Sequence, residues 1–399
     1  MKNSSFTLSL LTMAIMISSQ SQAASDWYSA MQDTTASAKL NLRYEGVEQD
    51  NAVDDADALT LRTELSLTTG QYKGFSITVA LEDVRAVAGI DDYSVPPAGF
   101  KPGEYSVIAD PETTELHQGY LQYQTEGLTL KAGRQIIALD GHRFVGHVGW
   151  RQDWQTFDAL SAGYKRGQFS AYYAYVTQRN RIFAEAADMD SKDHLLNASY
   201  ASDFGKFTAY AYLLETDNDI DNSLNTYGIS YSGKYTADTL TWLYAAEFAT
   251  QTNDAAGVEY DADYTMLEGG VVFGGVTAKV NYEVLGSDDG MYGFATPLAT
   301  LHKFNGWSDQ FLVTPAQGLE DLSVSLSGKA YQGKWLVAYH NFEADKASDT
   351  VSDLGSELNV QYVTKLGDAF TLGVKYATYS ADDAKVDTDK LWVWLSTAF

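Results

Sequence analysis

The chain has 399 residues, with 53 Asp+Glu against 27 Lys+Arg and no cysteine. That length suits two soluble domains or one large barrel, and the missing cysteine excludes disulfide and thiol chemistry. A net charge of −26 disfavours a nucleic-acid partner, which would want a basic surface.

Residues 1–23 have the anatomy of a secretory signal. Lys2 gives the positive start, residues 6–17 are apolar, and Ser21-Gln22-Ala23 offers small residues where a signal peptidase cuts. The apolar run is too short to span a membrane as a helix. Cleavage after Ala23 is expected, followed by a short periplasmic segment (24–35) and a barrel over 36–399.

From residue 36 the sequence alternates with period two. Ala36, Ala38, Leu40, Leu42 and Tyr44 interleave with Ser37, Lys39, Asn41, Arg43 and Glu45. Leu59, Leu61, Leu65 and Leu67 oppose Thr60, Arg62, Glu64 and Ser66. Phe75, Ile77, Val79 and Leu81 oppose Ser76, Thr78, Ala80 and Glu82. Further candidate strands lie near 114–125, 127–136, 153–166, 168–179, 192–202, 205–216, 223–235, 238–250, 260–273, 275–285, 319–331, 333–344, 354–365, 368–380 and 388–399, which makes 18 in all. Parity is ambiguous at 205–216 and 333–344. A soluble sandwich and a membrane barrel both predict such alternation; the connections separate them.

Eight connections are short and rich in Gly, as tight turns require, and nine are longer and polar. The two longest, 86–113 and 286–318, hold all six prolines. Proline is kept out of every proposed strand, where it would remove a ladder hydrogen bond. This asymmetry is that of outer-membrane barrels, with short periplasmic turns and long outer loops. Phe75, Tyr123, Tyr164, Phe169, Tyr200, Tyr235, Phe273, Trp335, Tyr362, Phe370 and Phe399 fall next to short turns on the apolar parity, as an interfacial girdle would. The last strand, with Leu391, Val393, Leu395, Thr397 and terminal Phe399 on one face, is too apolar for an open edge and is expected to close onto the first.

Enzyme signatures are missing. His142 and His147 do not have zinc-helix spacing with a completing Glu, and no Gly-x-Ser-x-Gly elbow occurs. No catalytic residue, cofactor or metal site is expected. Acids collect in the long loops, where they make a solvated rim or bridge divalent cations to lipopolysaccharide.

One stretch is unusual for a barrel wall: Gly133-Arg134-Gln135, then Phe144-Val145-Gly146-His147-Val148-Gly149-Trp150-Arg151-Gln152-Asp153-Trp154-Gln155-Thr156-Phe157-Asp158, followed by Asn180-Arg181-Ile182-Phe183 and His194–Tyr200. On these residues the chain, from about Leu40 to Phe399, resembles the alginate export porin family. The resemblance implies an 18-stranded outer-membrane barrel with an Arg-rich pore. The family's exporter plugs its pore with a long periplasmic turn; every short-side turn here is brief, so that device is expected to be absent.

The expected fold is therefore all-β, a single 18-stranded antiparallel transmembrane barrel. The expected function is a porin-like channel for small hydrophilic or anionic solutes, gated by inward-folded loops. Export of an acidic polysaccharide such as alginate, or a non-conducting structural or adhesive barrel, are the alternatives. Selectivity would come from inward charges: Lys39, Arg43, Arg62, Arg134, Arg151, Lys279 and Lys375 against Glu45, Glu64, Glu82, Glu247 and Glu283. The 286–318 loop is too apolar to stay in water, so His302, Lys303, Trp307 and Asp309 are expected at a constriction. Expected partners are outer-membrane lipid and lipopolysaccharide, the barrel-assembly machinery through Phe399, and small solutes or a polysaccharide.

Overall fold

The computed structural model describes residues 26–97, 101–220 and 222–399. The signal segment expected at 1–23 lies outside the described residues. Trp27–Gln32 forms a short helix, capped by the Asp26 side chain accepting from Ser29 N at 2.9 Å. It rests on the first short turn, where Gly70 N donates to Ala30 O.

From Thr35 onward the chain builds one 18-stranded antiparallel sheet. It begins with β1 (Thr35–Gln49), β2 (Ala56–Thr68), β3 (Phe75–Asp92) and β4 (Thr113–Thr125) and ends with Thr388–Ala398. Each wall strand pairs with its neighbour in sequence. The last strand pairs with β1, from Lys39↔Ala398 to Gln49↔Thr388, and Ala38 and Phe399 exchange backbone hydrogen bonds beyond it. The expected closure is present, and it removes both sheet edges. For 18 tilted strands the backbone diameter is on the order of 35–40 Å.

The alternation read from the sequence sorts side chains as a membrane barrel requires. Leu65, Ile77, Leu81, Val280 and Leu326 are exposed on the outer wall, while Arg43, Glu45, Glu64, Glu82 and Lys375 are buried inside. Lipid can satisfy no backbone polar group, so only a closed ladder of this kind can cross it as strands. Phe75, Tyr164, Phe169, Tyr200, Tyr235, Phe273 and Phe370 stand outward beside the short turns. The ambiguous parity at 205–216 resolves with Tyr210, Tyr212 and Leu214 inward and Phe207 outward; at 333–344, Ala338 and Phe342 point in and Tyr339 out.

Close packing over the wall depends on glycine where an aromatic ring lies across the neighbouring strand, as at Gly373. Gly373 pairs with Trp394, and a Cβ there would meet the indole ring at 2.0 Å.

Several boundaries differ from the sequence reading, and two of them shape the loops that enter the bore. β3 runs on to Asp92, because residues past Arg85 still pair with Asp57 and Ala58 across an irregularity. The strand expected from 153 starts at Thr156. Asp153 and Gln155 are drawn off the wall: the first accepts from Ala184 N, and the second donates to Gly146 O and Leu298 O.

Candidate functional site

Side chains cannot fill so wide a bore, and here loops from the long-connection end fill it. Residues 136–155 and 286–318 enter the barrel and bind each other. Gly146 N donates to Leu298 O, Thr300 N to His142 O, and Val148 N to Thr300 Oγ1. Apolar anchors hold this plug to the wall. Phe144 packs on Tyr210, Tyr264 and Phe294 with ring centroids 5.1, 5.3 and 6.0 Å away. Phe294, Leu298 and Phe311 are buried, as the apolar content of the loop required. Met291, Leu312 and Val313 instead stay exposed.

The second bond between plug and wall is ionic. Arg143 donates to Glu283 at 2.7 Å and to Thr296 and Asn305 of the other loop. Arg151 donates to Glu45 at 2.8 Å and to Asp309 at 3.0 Å. Burial alone would lower both arginine pKa values, but the facing acids, Glu283 for Arg143 and Glu45 for Arg151, hold them above the usual range. Arg43 bonds Asp110, which comes from the 93–112 loop and also accepts from Gln152 N. Glu357 takes the backbone N–H groups of Trp307 and Ser308.

At the centre lies a short polar chain. His302 Nδ1 is 2.6 Å from Asp309 Oδ1, and its Nε2 is 2.7 Å from Lys375 Nζ. Asp309 Oδ2 also accepts from Lys390. Burial, reinforced by Lys375 against the pull of Asp309, keeps His302 well below its usual pKa. Burial would raise Asp309, but His302, Lys390 and Arg151 outweigh it and hold its carboxyl well below the ordinary range. The consistent assignment is a neutral imidazole that accepts from Lys375 and donates to Asp309. Trp150 stacks on His302, and Lys375 lies 4.2 Å from the Trp150 ring and 3.8 Å from the Trp307 ring.

Eleven of the twelve expected pore residues divide into two groups by exposure, and the twelfth, Glu247, is half-buried and accepts from the Tyr210 hydroxyl at 2.8 Å. Arg43, Arg62, Arg151, Lys375, Glu45, Glu64, Glu82 and Glu283 are sealed between wall and plug instead of bordering open water. Lys39, Arg134 and Lys279 keep access to solvent while pairing with Glu64, Asp158 and Glu268. A cavity of about 330 Å³ lies beside Lys279 on the short-turn side of the plug; Arg143, Glu247, Lys303 and Trp307 also line it. Lys303 is exposed, whereas His302 is buried and Asp309 nearly so. Sequence reasoning missed Arg143, Asp110, Glu357 and the role of Trp150. Only Trp150 left a signal, its place in the unusual Gly-Trp-Arg-Gln run.

Residues 36–299 match the family described as Alginate export. The chain belongs to the alginate export family. Its fold is that of solved outer-membrane porins. OccK9 (OpdG) of Pseudomonas aeruginosa superposes with a TM-score of 0.71 at 14% identity, covering 93% of this chain and 99% of that one. OpdK of the same organism, solved with vanillate, gives 0.71 at 12%, covering 91% and 98%. OccAB4 of Acinetobacter baumannii gives 0.73 at 13%, covering 92% and 99%. No curated protein matches the sequence. Family and barrel together point to the outer membrane.

Proposed function

We propose that this barrel is a diffusion channel for small hydrophilic solutes, anionic ones included, whose bore is narrowed by its own inward-folded loops. One observation carries the reading. The plug is held to the wall by apolar anchors and by ion pairs, with Arg143–Glu283 beside the Phe144–Tyr264 contact, and a cavity of about 330 Å³ bordered by Arg143, Glu268 and Lys279 already lies beneath it. A purely structural barrel gains nothing from burying so many charges, since a buried pair is weak evidence of stability. A charge-lined, water-accessible path is what selectivity by inward side chains requires. The likeness to a barrel solved with vanillate, an aromatic carboxylate, supports a small anion among the solutes.

The family match supports a second reading, export of an acidic polysaccharide. Against it stands the pairing of the wall's cations with acids, as in Lys39–Glu64, Arg62–Glu82, Arg134–Asp158 and Lys279–Glu268, which leaves those cations no free charge for a polyanion.

Conductance in planar bilayers tests the first reading. Removing residues 296–311 should raise single-channel conductance while the barrel stays folded. Unchanged conductance in a properly assembled deletion variant would reduce the loop to an outer cap. Liposome swelling with neutral and anionic sugars of graded size, set against an acidic oligosaccharide, separates the two solute classes.

A further inference from the structure

Three glutamates stand side by side across neighbouring strands. Glu64 of β2 is the register partner of Glu82 of β3, and Glu82 is the register partner of Glu115 of β4. Like charges directly opposite on adjacent strands repel, more so where water is excluded. Asp153, 1% exposed, brings a fourth carboxylate from the plug. Oxygens of Glu82, Glu115 and Asp153 all lie within 4.8 Å of one another.

The surrounding cations do not balance this group. Lys39 bonds Glu64 at 2.8 Å, and Arg62 bridges Glu64 and Glu82 at 2.8 and 2.6 Å. The next cation, Arg134, is committed to Asp158 through two bonds. Four carboxylates against one ammonium and one guanidinium leave a charge deficit of two when His117 is neutral.

His117 supplies an independent sign. It is the extra residue of a bulge, since Ala80 pairs with Gln118 and Leu81 with Leu116. The bulge turns its ring inward, where the side chain is fully buried with Nδ1 3.2 Å from Glu82 Oε1. Its Nε2 lies 3.9 Å from Glu64 Oε2, and neither nitrogen is in hydrogen-bond line with its carboxylate, so the ring has ionic neighbours without a directed bond. A fully buried imidazole that faces two carboxylates without a directed hydrogen bond leaves polar capacity unused, and at the edge of a carboxylate cluster that points to a missing ligand.

We propose that Glu82, Glu115 and Asp153, with His117 at their edge, bind a hard divalent cation of calcium size, which fastens the plug to the wall. Oxygen ligands at about 2.3–2.6 Å from such an ion lie up to about 5 Å apart across it, which matches the spacing here. The ion would restore charge balance. Because Asp153 also accepts from Ala184 N at 3.0 Å, it would join β3, β4, the plug and the 181–188 loop at one point.

The test uses the whole mature barrel in detergent, stripped with EDTA and titrated separately with Ca²⁺, Mg²⁺, Mn²⁺ and Zn²⁺. Elemental analysis after desalting should find one tightly held Ca²⁺ per chain, and Ca²⁺ should raise the melting temperature of the stripped protein more than Mg²⁺ does. Glu115→Gln and Asp153→Asn should each abolish the retained ion while keeping the heat-modifiable migration of a closed barrel. Retention of the ion in both variants would place it on the acidic outer loops and overturn the proposal. So would a wild-type barrel that keeps no ion and melts alike with all four cations, because the carboxylates would then be sharing protons. A preference for Zn²⁺ would overturn the oxygen-dominated site.

Discussion

Trp150 lies flat on His302, with ring centroids 4.8 Å apart and planes 5° from parallel. One ring comes from the 136–155 loop and the other from 286–318, so the stack is where the two halves of the plug meet. Trp392 and Trp394 of the closing strand meet the edges of Trp150 at 5.7 and 5.4 Å. The seam of the barrel and the seam of the plug therefore share one aromatic group.

Replacing Trp150 by Ala removes the stack and the cation–π partner of Lys375. A large aromatic cut to Ala in a packed site costs about 3–5 kcal/mol. That loss falls on the plug, since the strand ladder is untouched. The expected result is a barrel that still assembles but shows higher and noisier single-channel current. A current trace identical to wild type would show that the stack does not limit the bore.

Arg151 offers a test of the ionic side. Arg151→Met leaves Glu45 and Asp309 facing each other without their shared guanidinium, and breaking a buried pair from one side costs about 3–5 kcal/mol. Hydrogen exchange of the 136–155 and 286–318 loops should accelerate strongly while the wall strands stay protected. Adding Glu45→Gln alone to Arg151→Met should recover much of the protection, because Asp309 keeps Lys390 and His302 and the acid left without its cation is removed.

His147 gives the plug a pH dependence. Burial, then repulsion from His142, His117 and Arg62, lowers its pKa to about 4. Trp154 also packs on the ring at 4.9 Å. The unfolded chain binds the proton near pH 6.5 and the folded plug does not, so stability is full above that pH. It is lost as pH falls from about 6.5 to about 4 and amounts to about 3 kcal/mol at most. His302, also held below its usual value, acts in the same direction. Exchange protection of the plug should decline over this window, and His147→Gln should flatten the decline. A wild-type profile level from pH 7 to 4 would contradict the assignment of a neutral imidazole.

The membrane orientation is tested by single cysteines, which are clean here because the chain has none. Positions 54, 219, 349 and 383 should label on intact cells, and positions 73, 206 and 368 only after the envelope is opened. All seven residues are exposed, so access and not burial decides the outcome. N-terminal sequencing of the same preparation should begin at Ala24. Labelling of the second set alone would invert the barrel.

The sequence by itself determined the wall. Side-chain direction alternates along any strand and tight turns demand Gly, so Leu65 against Glu64, or Gly127 with its φ of 71°, could be read locally. The apolar content of 286–318 likewise showed that this loop had to leave water. Tertiary structure alone decided which cation meets which acid. Arg151 and Glu45 are 106 positions apart, and Arg143 and Glu283 are 140 apart. Alternation fixes the face of a strand on which a charge stands. It does not fix the height a folded loop reaches in the bore, and that height turned expected pore-lining charges such as Arg43 and Glu45 into the buried fastenings of a plug.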